Sequence, residues 1–349
     1  MNNPEEKRKF DSSGVGLKNG NFIGLPFTEE TANVILVPVP WDVTVSYGQG
    51  TAKAPKAILE ASVQLDLFDT DVKDAWKLGV YMQPRNESIW KKRKKLRKIS
   101  AEYINFLEHG GDLSENMGMQ EELKKLNCEC EEINSRVFNE TTKIFENGKI
   151  PGIIGGDHSV PLGALQAVGE KYPDFGVLQL DAHLDLRDSY EGFTYSHASV
   201  FYNALKIKSL SKLVQVAIRD YCDEEVEVLQ KEGERISVFF DHSLKENQFK
   251  GKNWDAQCHE IISKLPENIY VSIDADGLDP KLCPNTGTPV PGGLDFQQNI
   301  YLLKKAVENG RKIIGFDVCE TGKKEWDANV AARIIYKLSN LAGRSKKLI

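Results

Sequence analysis

Long apolar runs and an excess of basic residues are both missing from this sequence. No apolar run approaches the ~18 residues that a membrane span requires, and residues 1–14 lack the apolar core of a signal peptide. The formal net charge of -6 argues against a nucleic-acid partner, because phosphate binding needs a basic face. We therefore expect a cytoplasmic protein that binds neither membranes nor nucleic acids.

Cysteine is also sparse, since only six thiols are scattered over 349 residues. They form neither a disulfide framework nor a CxxC zinc motif, so we expect them to be reduced. Hydrophobic residues make up 40% of the chain and charged residues 28%, which is typical of a globular protein with one large core rather than of a disordered chain.

Eight short apolar runs with turn residues at their ends are candidate strands. They lie at 33–38, 78–82, 150–154, 175–180, 213–218, 236–240, 269–273 and 312–316. Segments with helical periodicity separate most of them, for example 54–61, 162–171 and 296–309, and several strands are apolar throughout. This alternation predicts an α/β fold with three layers, in which helices cover both faces of a central, mostly parallel eight-stranded sheet.

Two regions depart from this alternation. Residues 1–32 are polar and glycine-rich and predict an N-terminal arm, whose order depends on packing elsewhere. Residues 84–147 predict an inserted helical region within a single domain that spans residues 33–349. The insertion contains a basic run at 91–98, which we interpret as a solvated helix face rather than as an anion or partner site.

Three polar segments directly follow predicted strands: GGDHS at 155–159, DAHLD at 181–185 and SIDADGLDP at 272–280. The carboxyl ends of parallel strands form the crevice in which α/β proteins bind ligands, so we expect the three segments to converge there.

Residues with ligand chemistry recur at every second position in these segments. Side chains of an extended chain alternate between two faces, which would place Asp181, His183 and Asp185 on one side. The same rule joins Asp274 to Asp276. Four aspartates at one edge of a sheet repel one another by about 4 kcal/mol for each pair 4 Å apart, at an effective dielectric constant of about 20. Positive charge must therefore offset them.

Two divalent cations would supply that charge, and His158 and His183 would add neutral nitrogen ligands. Oxygen-rich ligation with two imidazoles favours Mn²⁺, so we expect two Mn²⁺ per subunit, although zinc, nickel or cobalt also fit. Helix caps, core histidines and turns could explain any one of the six residues, but not all six at strand ends. We interpret Asp157 and Asp279 as supporting or turn residues.

The three segments, followed by TGTPVPGGL at 286–294, resemble the signatures of the ureohydrolase (arginase/agmatinase) superfamily in type, order and spacing. The resemblance extends from about residue 33 to the C-terminus. It implies an arginase-like fold and a hydrolase of linear amidines, in which a hydroxide held between two metals attacks a guanidinium carbon and releases urea. It also implies a homo-oligomer, either a trimer or a hexamer.

The resemblance further implies roles for individual residues. The six expected metal ligands are the bridging pair Asp181 and Asp274, the pair His158 and Asp185 at one metal, and the pair His183 and Asp276 at the other. Glu320 would pair with the guanidinium group and His197 would move protons, so that both act with Asp185 as catalytic residues. Ala198 stands where the family has glycine, and Ala52 and Ala54 stand where relatives have arginine and glycine.

The loop at 186–196 leaves the expected metal site toward solvent and should determine the substrate. Arginases carry an asparagine near the position of Arg187, so the chain does not resemble an arginase here. Asp188 and Glu191 would attract the amine of agmatine, whereas Arg187 would bind the carboxylate of a guanidino acid or of formiminoglutamate. The PGGL stretch resembles agmatinases more than formiminoglutamases, which favours agmatinase-like hydrolysis.

Two other functional classes compete with this interpretation. A regulatory member that keeps its metals for structure is suggested by Ala198 and by the altered entrance loop, although the six intact ligands argue against it. Calcineurin-like phosphoesterases also contain an Asp-x-His motif, but the Gly-Asn-His segment that accompanies it is missing here.

Overall fold

One eight-stranded parallel sheet forms the centre of the computed structural model, which describes residues 10–349. The strands are β1 (Val34–Pro38), β2 (Val80–Met82), β3 (Ile150–Ile154), β4 (Phe175–Leu180), β5 (Leu210–Ile218), β6 (Ile236–Phe240), β7 (Asn268–Asp274) and β8 (Lys312–Cys319). Their order across the sheet is β2-β1-β3-β8-β7-β4-β5-β6, and all pairs are parallel. The predicted α/β fold with eight strands is confirmed.

Ten α-helices flank the sheet within the described residues. They are α1 (Ala54–Ser62), α2 (Glu87–Glu108), α3 (Met117–Glu146), α4 (Leu162–Lys171), α5 (Val200–Ala204), α6 (Asp223–Glu232), α7 (Asp241–Phe249), α8 (Trp254–Ser263), α9 (Phe296–Glu308) and α10 (Glu325–Ser345). The central strands β1, β3 and β4 are buried at every residue, because helices pack on the sheet: α10 lies against β8 and α1, and α3 lies against β3 and α4. None of the described helices is both long and apolar enough to cross a membrane.

The described part of the N-terminal arm lies against the edge strand β2. Phe22 and Leu25 are fully buried, and the Asn21 side chain donates to the carbonyl of Val80 at 3.3 Å and accepts from the amide of Met82 at 3.0 Å. These contacts stabilise the arm by satisfying backbone groups at the edge of the sheet. Residues 1–9 of the predicted arm lie outside the described residues.

The region at 84–147 contains α2 and α3, joined by residues 109–116, which include a 3₁₀ helix at Leu113–Glu115. Within its basic run, the interpretation as a solvated helix face is wrong for Arg93 and Arg97. Arg97 is 7% exposed, and Arg93 forms an ion pair with Asp42, a fully buried carboxylate in the loop after β1. The two arginines point inward because a buried anion faces this side of α2. All six cysteines are unpaired, as expected.

Candidate metal centre

The three polar segments converge at the carboxyl end of the sheet, as the motif positions predict. His158 lies among three carboxylates, with its Nδ1 atom 3.0 Å from Asp181 Oδ2, 3.0 Å from Asp185 Oδ2 and 3.3 Å from Asp274 Oδ2. These side chains come from the ends of β3, β4 and β7 and are at most 6% exposed. The strand ends therefore place one imidazole inside a buried group of aspartates.

A second group of ligand-type atoms lies beside the first. His183 Nδ1 is 3.2 Å from Asp276 Oδ2 and 3.6 Å from Asp181 Oδ1. Asp181 thus faces His158 with one oxygen and His183 with the other. The ligand atoms of His158, Asp181 and Asp185 lie within 4.8 Å of one another, and so do those of Asp181, His183 and Asp276. Asp181 is the residue that both groups share.

The backbone of these segments is not the extended chain in which side chains two residues apart would share one face. Asp185 has a left-handed backbone with φ of 55°, and Asp276 lies in a single 3₁₀ turn, Ala275–Gly277. The Asp274 carboxylate caps this turn by accepting from the Asp276 amide at 2.8 Å. The side chains converge, but the reason given from period-two alternation is wrong for Asp185 and Asp276.

The electrostatics of the cluster call for added positive charge. A proton on His158 Nδ1 can be donated to only one of the three carboxylates around it. Burial and the charge of Asp181 raise the pKa of Asp185 to about 7, and burial with the charges of Asp276 and Asp181 raises the pKa of Asp274 well above its usual value. Carboxylates and imidazoles are ligands that Mn²⁺ and related cations accept, so the residues present fit a two-cation centre.

Two further residues, to which no role was assigned from the sequence, contact the His158 nitrogen that faces away from the three carboxylates. Its Nε2 atom lies 2.9 Å from Ser272 Oγ and 3.7 Å from Asp317 Oδ1, and both side chains are fully buried. A histidine whose outer nitrogen is hydrogen-bonded has a fixed ring orientation and tautomer. The signal in the sequence was a serine and an aspartate inside otherwise apolar strands, β7 and β8.

Glu320 follows β8 and is buried beside the cluster, with only 3% of its surface exposed. Its Oε1 atom accepts from the His158 amide at 3.2 Å, while Oε2 has no hydrogen-bond partner within the described chain. Burial and the charges of Asp157 and Asp276 raise the pKa of Glu320 well above its ordinary value. A Cβ atom on Gly287 would lie 2.9 Å from Oε2, so any larger residue at position 287 would crowd this buried oxygen. Glu320 is not among the residues that line the cavity described next.

A cavity of about 220 Å³ leads from the cluster to solvent. It is lined by Ser46, His183, Asp185, Arg187, Tyr190, His197, Ala198, Asp220, Tyr221, Glu225 and Thr288. Four larger cavities in the described part of the chain, of about 270 to 530 Å³, contain none of the clustered residues.

Aromatic contacts organise one wall of this cavity. The Tyr190 ring lies 5.0 Å from the guanidinium carbon of Arg187 and 5.9 Å edge-on from the His197 ring. Burial, together with the positive charge of His183, lowers the pKa of His197 to about 4. The His197 Nδ1 atom is buried and makes no hydrogen bond within the described residues.

The two acidic residues proposed to read an amine tail do not line the cavity. Asp188 is exposed beside Tyr202, and the Glu191 side chain is half-buried and interacts electrostatically with Arg97. Asp220 lines the cavity instead, with 66% of its side chain exposed. Asp220 follows β5, a strand that ends in none of the recognised motifs, so no signal in the sequence pointed to it.

Comparison with known proteins identifies the family. The Arginase family profile matches residues 32–339. The N(1)-aminopropylagmatine ureohydrolase of Thermus thermophilus is 32% identical over 90% of this chain and 92% of its own, and the agmatinase of Bacillus subtilis is 28% identical over 88% and 91%. The agmatine ureohydrolase of Thermoplasma volcanium has the same fold, with a TM-score of 0.70 at 23% identity over 99% of both chains.

The family expected from the motifs is therefore confirmed. The match covers most of the chain, and the motif segments lie inside it. The chain belongs to the arginase family and is an agmatinase-like ureohydrolase, a hydrolase of carbon–nitrogen bonds in linear amidines.

Proposed function

We propose that this protein hydrolyses a guanidino compound with an amine-bearing tail, of the agmatine type, to urea and the corresponding amine. The observation that carries the proposal is Glu320, a buried carboxylate with one unpaired oxygen directly beside the cluster of aspartates and histidines. A guanidinium group has N–H donors in a fork that matches such a carboxylate. The names of the relatives, N(1)-aminopropylagmatine ureohydrolase and agmatinase, support the amine-bearing tail.

Six residues would hold two divalent cations, with Mn²⁺ proposed first. Asp181 would serve both cations because its two oxygens face the two imidazoles, and Asp274 would join it because it lies 3.3 Å from His158 and caps the turn that carries Asp276. His158 with Asp185, and His183 with Asp276, would complete the two sites. When bound, the cations supply the positive charge that makes a water molecule acidic enough to attack near neutral pH.

The chain's own residues would bind the substrate and move its protons. Glu320 Oε2 accepts N–H groups of the guanidinium and thereby fixes its carbon beside the cluster. His197 lines the cavity and its buried Nδ1 has no hydrogen-bond partner within the described residues, so the neutral imidazole would accept a proton and return it to the leaving amine. Asp185 orients the centre through its contact with His158, and Arg187 and Tyr190 line the cavity that the substrate's tail would occupy.

The test is urea release by the Mn²⁺-loaded protein across agmatine, N1-aminopropylagmatine, arginine and guanidinobutyrate, with ammonia release measured for formiminoglutamate. An Asp181→Ala, Asp274→Ala double variant is the inactive control, and Asp188→Ala, outside the cavity, is the matched control that should keep activity. Turnover of an amine-tailed compound, abolished only in the double variant, supports the proposal. No turnover of any compound, with two metals bound per chain, overturns it.

A second substrate class is favoured by one observation, because Arg187 lines the cavity and offers a cation to the tail. A guanidino acid or formiminoglutamate would then be the substrate. In that case Arg187→Ala should abolish selectivity for the acid, whereas Asp220→Ala should leave it unchanged. For an amine-tailed substrate the two variants should have the opposite effects.

The trimer or hexamer and the single domain with its insertion at 84–147 stay predictions. Sedimentation analysis would test the oligomeric state.

A further inference from the structure

Helix α2 holds the loop on one side of the cavity. This entrance loop (residues 42–52) contributes Ser46 to the lining. The ion pair between Arg93 of α2 and Asp42 leaves the other Asp42 oxygen to accept from the amides of Gly50 and Ala52, each at 3.3 Å. One buried carboxylate thus connects the helix to both ends of the entrance loop.

Helices α2 and α3 also hold the loop on the opposite side. This cavity loop (residues 186–196) carries Arg187 and Tyr190. Its tip is bonded by two side chains, since the Tyr103 hydroxyl donates to the Glu191 carbonyl at 2.9 Å and the Asn127 amide donates to the Gly192 carbonyl at 3.0 Å. Asn127 also accepts from the amide of Thr194 at 3.0 Å.

The tip of the cavity loop has a conformation that its own sequence favours only weakly. Glu191 has a positive φ of 53°, which is uncommon for a residue with a side chain, and Gly192 follows with φ of 81°. The turn is closed by backbone bonds between Tyr190 and Phe193 at 2.9 and 3.2 Å, and the Phe193 ring packs edge-on against Tyr103 at 5.3 Å. Contacts from α2 and α3 therefore stabilise the backbone that places Tyr190 in the cavity.

We infer that Tyr103 and Asn127 are positioning residues for substrate recognition, through which α2 and α3 fix the cavity loop and hence the placement of Arg187 and Tyr190. This inference rests on the proposed function for the identity of the substrate. Neither residue lines the cavity. Their effect would fall on the binding of the substrate's tail rather than on the metal ligands, which lie on strand ends that α2 and α3 do not supply.

The test compares Tyr103→Phe and Asn127→Ala with two matched controls. Tyr103→Phe keeps the ring contact with Phe193 and loses only the hydroxyl. Tyr301→Phe is its control, since it loses a 2.7 Å bond to Asp255 that is remote from both loops. Asn147→Ala is the control for Asn127→Ala, because it loses a 2.9 Å bond to the Lys143 carbonyl at the end of the same helix.

Two measurements are made on the Mn²⁺-loaded proteins. The first is hydrogen–deuterium exchange of a peptide that covers residues 187–196. The Tyr103 hydroxyl bonds a carbonyl rather than an N–H, so faster exchange in Tyr103→Phe reports opening of the loop and not the loss of one protecting bond. The second is KM and kcat for the best amine-tailed compound.

We expect both variants to exchange faster than their controls and to raise KM by about two- to tenfold, the range of one neutral hydrogen bond, with kcat nearly unchanged. Exchange equal to that of the controls would overturn the inference, and so would faster exchange with an unchanged KM. Absence of turnover by the parent protein would instead refute the proposed function, and the exchange measurement, which needs no turnover, would still decide whether the two side chains hold the loop.

Discussion

Substitution of Glu320 by glutamine tests the proposed guanidinium site with almost no change of shape. The His158 amide donates to Glu320 Oε1, and the glutamine carbonyl would occupy that position to keep the bond. The amide nitrogen would then stand where the unpaired Oε2 is now. Since this nitrogen is a donor, it would face the N–H groups of the substrate instead of accepting from them.

The expected loss follows from these contacts. A hydrogen bond to a charged group contributes about 1.5–3 kcal/mol, and the donor-to-donor contact adds to the loss because a buried polar group is left unpaired. The total loss of transition-state stabilisation is then about 3–4 kcal/mol. At about 1.4 kcal/mol for each tenfold change in rate, kcat/KM should fall by roughly two to three powers of ten.

The assay is steady-state urea release with Mn²⁺ content measured on the same samples. Glu320 lies outside the six proposed ligands, so the variant should keep both metals and its melting temperature. Glu325→Gln, an exposed position five residues along the chain, is the control and should behave as the parent. A Glu320→Gln protein with full metal content and kcat/KM within tenfold of the parent would refute the role assigned to this carboxylate.

Three further outcomes are expected. Arg93→Met removes the positive charge that pairs with the buried Asp42, so the free energy of unfolding measured by urea denaturation should fall by about 3 kcal/mol. A loss below about 0.5 kcal/mol would contradict a stabilising buried ion pair. Chelation of divalent cations should lower the melting temperature measured by calorimetry. Mn²⁺ at 1,000 times its dissociation constant should then raise the free energy of unfolding by about 4 kcal/mol. An unchanged melting temperature would argue against the proposed metal centre. Hydrogen bonds from Lys92 and Arg136 lower the pKa of Glu132 from its ordinary value of 4.5 to about 2. The contribution of these bonds to stability is therefore present above pH 4.5 and is lost as the pH falls toward 2. The urea midpoint of Glu132→Gln should therefore fall less over that pH range, and equal slopes would show that the ion pairs contribute nothing.

Much of the sheet could be predicted because its strands are buried on both faces. A strand such as β4 is apolar at almost every position and ends at a polar motif, so its limits are visible in the sequence. Asp181 and Asp274 could be assigned for the same reason, as the first charged residues at such ends. The inward turn of Arg93 could not be predicted, because it depends on Asp42, a partner 51 residues away in the chain that periodicity does not reveal.

The substrate side of the site was harder to predict than the metal side. The proposed ligands lie at or just after strand ends, whereas the cavity depends on how loops fold back. Glu191 was expected to face the substrate, but it has a left-handed backbone at the tip of the loop and does not line the cavity. Asp220 enters the cavity because β5 lies next to β4 in the sheet, and this adjacency follows from strand order rather than from any local pattern.

The position of β8 determines when this protein can fold during its synthesis. Although β8 is the last strand in the chain, it lies between β3 and β7. Until residues 312–319 leave the ribosome, the two parts of the sheet have no common strand, and β3 and β7 each present an unpaired edge. Such edges bind other extended chains, so nascent chains of this length depend on protection from aggregation. A chain truncated before residue 312 would retain every proposed metal ligand and still fail to bring those from β3 together with those from β4 and β7.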